Sequence, residues 1–277
     1  MSETRNEVAR AIEALRWWAV AGVDFTIEET PRDRFAEAAR PPPPRPPVVA
    51  PSPAAPSLAI APPPDAAARS AAQIAAEAGT LDELRDAMNR FDGCALKKTA
   101  TQLVFADGAP GASIMIVGEA PGGDEDRIGR PFVGRAGQLL DRMLAAIGLD
   151  RTKVYIANVV PWRPPGNRTP TPQETAICLP FIRRQIQLCA PRWLVTMGNP
   201  STQTLLGVKD GITRIRGTWR VYEIAPGETV PALPTLHPAY LLRTPAAKRW
   251  AWLDLRALRK AVDAGAAQPT PGRERER

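Results

Sequence analysis

Ile114-Met115-Ile116-Val117-Gly118-Glu119-Ala120-Pro121-Gly122-Gly123-Asp124-Glu125-Asp126, continuing to Gly129-Arg130-Pro131-Phe132-Val133-Gly134, is the stretch on which the fold turns. A short apolar run that ends abruptly in Gly-Glu-Ala-Pro-Gly reads as a buried strand handing one carboxylate to a tight turn. Proline fixes φ there, and the glycines allow close approach. In an open parallel sheet such strand ends face the ligand crevice.

Working outward, the same grammar recurs. Val154 to Val160 is strand text with Asn158 near its end, and Pro161 to Pro170 is a loop. Pro172-Gln173-Glu174 opens a helix that reaches Cys189. Trp193 to Gly198 is a third buried strand, turning through Asn199-Pro200-Ser201 into a helix, and Val221-Tyr222-Glu223-Ile224 reads as an edge strand. Ala232 to Leu236 leads into His237-Pro238-Ala239-Tyr240-Leu241-Leu242-Arg243, and a last helix covers Lys248 to Val262. Leu139, Leu140, Met143, Leu144 and Ile147 share one helical face. Strands alternating with helices predict an α/β fold. It is a single three-layer domain whose mainly parallel central sheet has about four strands flanked by helices.

Before this body the composition shifts. Residues 1–25 carry a helical apolar pattern with Trp17 and Trp18 as anchors, and residues 26–69 form a Pro/Ala-rich linker expected to be extended and disordered. That linker reads as a plain tether, with a Pro-rich partner-binding site as the alternative. The folded domain is expected over 70–265, and the polar tail 266–277 to be disordered.

Composition sets limits on function. The net charge of +7 suits a polyanionic partner, although a basic balance also describes proteins that touch no nucleic acid. No apolar run spans a bilayer and the first residues are too polar for a secretory signal, so no membrane role and a cytoplasmic location are expected. Three cysteines make no disulfide framework and fit a reducing compartment, and His237 is the single histidine.

Four strand ends thus present Glu119, Asn158, the Gly198-to-Ser201 turn and His237. With the Gly129-to-Gly134 loop, Arg163-Pro164-Pro165 and Asn167-Arg168, these motifs resemble, in order, those of the uracil-DNA glycosylase superfamily and within it family 4. The resemblance runs from about Cys94 to Leu258, most of the folded part. It implies an enzyme of base excision repair that flips uracil out of DNA, hydrolyses its N-glycosidic bond and leaves an abasic site.

What the resemblance implies for single residues is specific. His237 donates to uracil O2 as charge gathers there, and Glu119 orients or deprotonates the attacking water. Asn158 accepts from N3–H and donates to O4 with one amide, a pattern that cytosine reverses. Phe132 stacks on the extruded ring, with plain core packing as the alternative, and Gly118 and Ala120 complete the uracil pocket. Leu241 is the wedge that replaces the base in the stack. Arg243, Pro164, Pro165, Arg168, Asn199 and Ser201 grip the backbone; for Arg168 and Arg243 a solvated surface charge is the competing reading. Gly122 stands where some relatives carry a bulky residue against the thymine methyl, so rejection of thymine is implied by resemblance alone.

One family feature is broken. Family 4 enzymes resemble one another in a four-cysteine iron–sulfur site, of which Cys94 and Cys178 match two positions while Phe91 and Trp162 occupy the others. Cys189 lies about 16 Å beyond Cys178 along one helix. The expectation is therefore no cluster, no other small-molecule cofactor and no metal, with the two aromatic rings filling the space. Uracil-containing DNA is the expected partner and a monomer the expected state. A uracil-DNA binding protein that does not turn over is the alternative, weakened because 158–170 contains no histidine. A nucleotide-binding regulatory domain is a third reading, which leaves Asn158, Phe132 and His237 unexplained together.

Overall fold

The computed structural model describes residues 64–265, so the N-terminal helix expected over 1–25, most of the 26–69 linker and the 266–277 tail lie outside the described residues. The first helix, α1 (Pro64–Glu77), begins inside the stretch read as linker. Pro64 stands in a first helical turn, where a missing N–H costs nothing. Ala67, Ala71, Ala75 and Ala78 then recur as a buried small-residue stripe that lets the helix lie close on its neighbour. After α2 (Leu81–Arg90), capped by Thr80 and Glu83 in a reciprocal box, the chain enters the sheet.

Six strands are arranged β1-β3-β2-β4-β6-β5. They are β1 (Asp107–Gly108), β2 (Ile114–Gly118), β3 (Val154–Asn158), β4 (Trp193–Met197), β5 (Arg220–Ala225) and β6 (Glu228–Thr235). The four inner strands are mutually parallel, as expected; the count rises to six because β1 and β5 add antiparallel edges. Strands β2, β3 and β4 are buried along their whole length, the mark of a parallel sheet covered on both faces.

The faces divide the residues by alternation. Met115, Val117, Tyr155, Ala157 and Leu194 pack towards α1, α2 and the long helix α5 (Pro172–Cys189). Ile114, Ile116, Val154, Ile156, Val195 and Leu233 pack the other way. There they meet α4 (Arg135–Ala145), α8 (Pro238–Arg243) and α9 (Lys248–Asp263). Short helices α3 (Gly123–Ile128), α6 (Asn199–Leu206) and α7 (Ile212–Ile215) fill the turns after β2 and β4.

Gly118 pairs with Asn158 in register, and Met197 with Thr235. The carboxyl ends of β2, β3, β4 and β6 therefore finish along one edge. The chain moves from β2 to β3 on one side and crosses to β4 on the other, and this reversal opens a crevice at the edge.

Candidate active site

A cavity of about 640 Å³ fills this crevice, and Glu119, Phe132, Asn158 and His237 all line it. Each arrives by a different route. Asn158, 5 % exposed, ends β3, and Glu119 follows the last residue of β2. Between them Gly118 is needed for space, because a Cβ there would sit 2.5 Å from Asn158 Oδ1 and 2.6 Å from Phe132 Cζ. The amide and the ring both pass over a residue that has no side chain.

Phe132 holds an unusual backbone, with φ at 55° in the left-handed region. For a bulky residue this stores strain of about 1–3 kcal/mol and persists only where neighbours over-determine it. They do. Arg151 donates to the carbonyls of Pro131 and Phe132 while paired with Asp107 and Asp141. The buried Glu125 carboxylate accepts the amides of Val133 and Gly134 at 2.9 Å each and that of Gly122 at 3.1 Å, tying both ends of the loop together. Gly137 completes the clamp, since a Cβ there would fall 1.6 Å from the Phe132 carbonyl oxygen.

His237 caps α8. Its Nδ1 accepts the Ala239 amide at 3.1 Å, which leaves the proton of the neutral ring on Nε2 as a donor. Burial, with a smaller push from the Arg243 charge, lowers its pKa from 6.5 to about 4, so the imidazole is neutral at pH 7. The ring lies 5.3 Å from that of Phe132, tilted by 29°. Glu119 moves the opposite way: burial pushes its carboxyl above the ordinary value, and the Thr169 hydroxyl partly offsets the shift. An acid poised to ionise and a neutral donor thus share one hollow.

Among the other residues singled out by sequence, Ala120, Pro164, Arg168, Asn199 and Arg243 line the cavity. Pro165 is exposed on the adjoining turn. Three of the residues singled out have other partners in this conformation. Leu241 is 1 % exposed and locked in the core beneath α8, so it offers no free wedge in this conformation. Ser201 is buried and its hydroxyl donates to the Met197 carbonyl at 2.7 Å. Arg168 spends both arms of its fork on Glu174, at 2.8 and 2.6 Å.

Sequence reasoning missed Glu125, Arg151, Thr169 and Tyr240. Glu125 follows Gly122-Gly123-Asp124, a helix-start signal. For Arg151 no local signal exists.

The cysteine positions were tested against a four-thiolate cluster. Cys94 and Cys178 meet with sulfurs 3.9 Å apart in the core. Phe91 lies 6.5 Å from Trp162 and 5.1 Å from Phe181, centroid to centroid, in that same cluster of buried side chains. Only these two thiols meet here, whereas a four-iron cluster takes four ligands. These residues do not fit the cluster.

Comparison with known proteins agrees with the geometry. Residues 105–256 match the family described as "Uracil DNA glycosylase superfamily". The chain is 38% identical over 186 residues to the type-4 uracil-DNA glycosylase of Sulfurisphaera tokodaii, covering 65% of this chain and 84% of that protein. It is 41% identical over 164 residues to that of Thermotoga maritima, covering 59% and 83%. To that of Archaeoglobus fulgidus it is 42% identical over 171 residues, covering 60% and 85%.

Proposed function

The chain belongs to the uracil DNA glycosylase superfamily and to its type-4 branch, and from that we propose that it excises uracil from DNA by hydrolysis, leaving an abasic site. The observation that carries this reading is one cavity lined by an amide, an aromatic ring, a carboxylate of raised pKa and a neutral imidazole.

The chemistry follows from those groups. Once a uracil leaves the stack, its ring stacks on Phe132, and Asn158 accepts from N3–H while donating to O4. Leaving buried groups unpaired against cytosine costs about 1–3 kcal/mol per group. The C1′–N1 bond breaks with its electron pair going to the base, which makes a uracil anion and an oxocarbenium-like sugar. His237 Nε2–H donates to O2 where the negative charge gathers. The ionised Glu119 favours the sugar cation and takes a proton from water as the oxygen bonds to C1′. That proton passes to the departing base or to solvent.

No step requires a metal, and we propose that the protein works without an iron–sulfur cluster: Cys94 and Cys178 supply two thiols, and the rings of Phe91, Trp162 and Phe181 pack beside them. A brown protein with stoichiometric iron would overturn this. We further propose a monomer, since one chain by itself brings Glu119, Phe132, Asn158 and His237 to a single cavity. A cytoplasmic location accords with its three free cysteines. No helix among the described residues is long and apolar enough to cross a membrane.

The decisive assay is release of free base from oligonucleotides carrying uracil, thymine or cytosine, in single and double strands. Multiple turnovers on uracil alone are expected, with alkali-labile product. A denaturant-resistant adduct at one turnover would favour a protein that traps its product instead.

A further inference from the structure

Beside the cavity lies a basic and aromatic surface with no part in the chemistry above. Helix α8 carries Ala239, Tyr240 and Arg243 into the cavity wall, and one short turn, Pro245–Ala247, separates it from Lys248, Arg249 and Trp250 at the start of α9. Arg243, Lys248 and Arg249 are exposed, and among the described residues none of them takes part in an ion pair. Like its neighbour Trp252 at 43 %, Trp250 is 42 % exposed.

That ring is held firmly. Arg216 donates to the Trp250 carbonyl at 2.5 Å and pairs with buried Asp254, and its guanidinium lies 5.7 Å from the Trp250 ring centroid. Arg216 itself closes α7, where Ile212 and Thr213 line the cavity. Trp250 is thus tied through Arg216 to α7, and through the turn Pro245–Ala247 it follows α8, both of which line the cavity. Arg249 stacks over the same ring at 4.5 Å. A guanidinium on an aromatic face keeps its N–H edge free for phosphate.

A nucleotide drawn into the cavity remains bonded to its strand on both sides, so a backbone must run across the mouth. We infer that Arg243, Lys248, Arg249 and Trp250 hold the DNA strand flanking the extruded nucleotide, the cations on its phosphates and Trp250 against a neighbouring base or sugar. The inference rests on the uracil reading of the cavity. It commits to nucleic acid rather than an acidic peptide because the surface is continuous with a pocket for a nucleotide, and because cations interleaved with a fixed aromatic match a strand.

The test uses the full chain and a labelled, uracil-free single-stranded oligonucleotide, with binding followed by fluorescence anisotropy across a salt series. Trp250→Ala should weaken binding about tenfold. The double variant Lys248→Ala with Arg249→Ala should lower the slope of log affinity against log salt by about 1.4. Arg69→Ala, an exposed cation on α1 across the sheet, should change neither. Circular dichroism melts of each variant verify the fold. Wild-type affinity and slope in both surface variants overturns the inference. So does a wild type that binds no DNA, or one that prefers polyglutamate of equal length. A wild type that binds DNA through this surface yet frees no uracil leaves the surface standing and overturns the reading of the cavity.

Discussion

Phe132 and His237 stack with ring centroids 5.3 Å apart, although one comes from the loop after the second strand and the other caps a helix after the sixth. The histidine has two duties in this pairing: Nδ1 caps α8 through the Ala239 amide, and Nε2 is left as the donor. Separate substitutions divide them. His237→Asn keeps a capping oxygen, but its amide N–H falls short of the Nε2 position, so base release in single turnover should fall by about 10²–10³ with little change in melting temperature. His237→Ala should lose at least as much activity and also about 1 kcal/mol of stability.

On the proposed function, the acid limb of the pH profile should belong to Glu119. Its folded pKa is raised above the usual 4.5, whereas that of His237 is lowered to about 4. As pH falls, Glu119 therefore takes up its proton first. Base release should decline through the raised carboxylate pKa while the imidazole is still neutral, and Glu119→Gln should be weakly active with a flat acid limb. A limb that survives in Glu119→Gln would assign it to another group.

The same histidine makes a stability prediction of fixed sign. Between about 4 and 6.5 the unfolded chain binds a proton at His237 that the folded chain does not. Its contribution is fully present above 6.5 and is lost as pH falls through that window towards about 4. Urea unfolding at several pH values should show wild type losing stability relative to His237→Asn as pH falls over this range.

Gly118→Ala should damage the site more than the fold. The added methyl would land within 2.6 Å of the Phe132 ring and closer still to the Asn158 amide, displacing both. A loss of about 100-fold in kcat/KM is expected from misplacement of this order. Asn158→Ala should by comparison lose discrimination between uracil and cytosine.

Glu125 acts through Phe132. Glu125→Gln turns one of its acceptors into a donor facing the Gly122 amide, so the loop should loosen and kcat/KM fall by about tenfold. Hydrogen exchange at Val133 and Gly134 should quicken in this variant. A merely structural role elsewhere would leave those two amides protected.

Leu241→Ala separates a wedge from a core residue. Buried as it is, the truncation should destabilise by about 2–5 kcal/mol, read as a lowered melting temperature, with single-turnover base release of the remaining folded protein near wild type.

The central strands, with Glu119, Asn158 and His237, were legible in the sequence because apolar runs give way there to one polar residue and parallel strands end together, whereas Phe132 was singled out only by the family resemblance. The burial of Leu241 and Ser201 was not legible, because burial depends on which way a short helix faces, and a motif does not state this. Arg151 and Glu125 were silent for a related reason: their value lies in the carbonyls and amides they meet, and backbone groups leave no mark in a string of side chains. The left-handed Phe132 shows the same limit, since a phenylalanine at positive φ runs against local preference and is imposed by its surroundings.

The pairing of Gly118 with Asn158 has a last consequence, for how the protein can fail. Side chains alternate along a strand, so slipping β3 by one position would send the asparagine amide to the opposite face and bring its neighbour forward instead. There is no partial credit in such an error. On the proposed function, a misaligned chain would forfeit base recognition outright rather than acquire a relaxed choice of base, so a folding mistake here would yield an inert protein rather than a careless one.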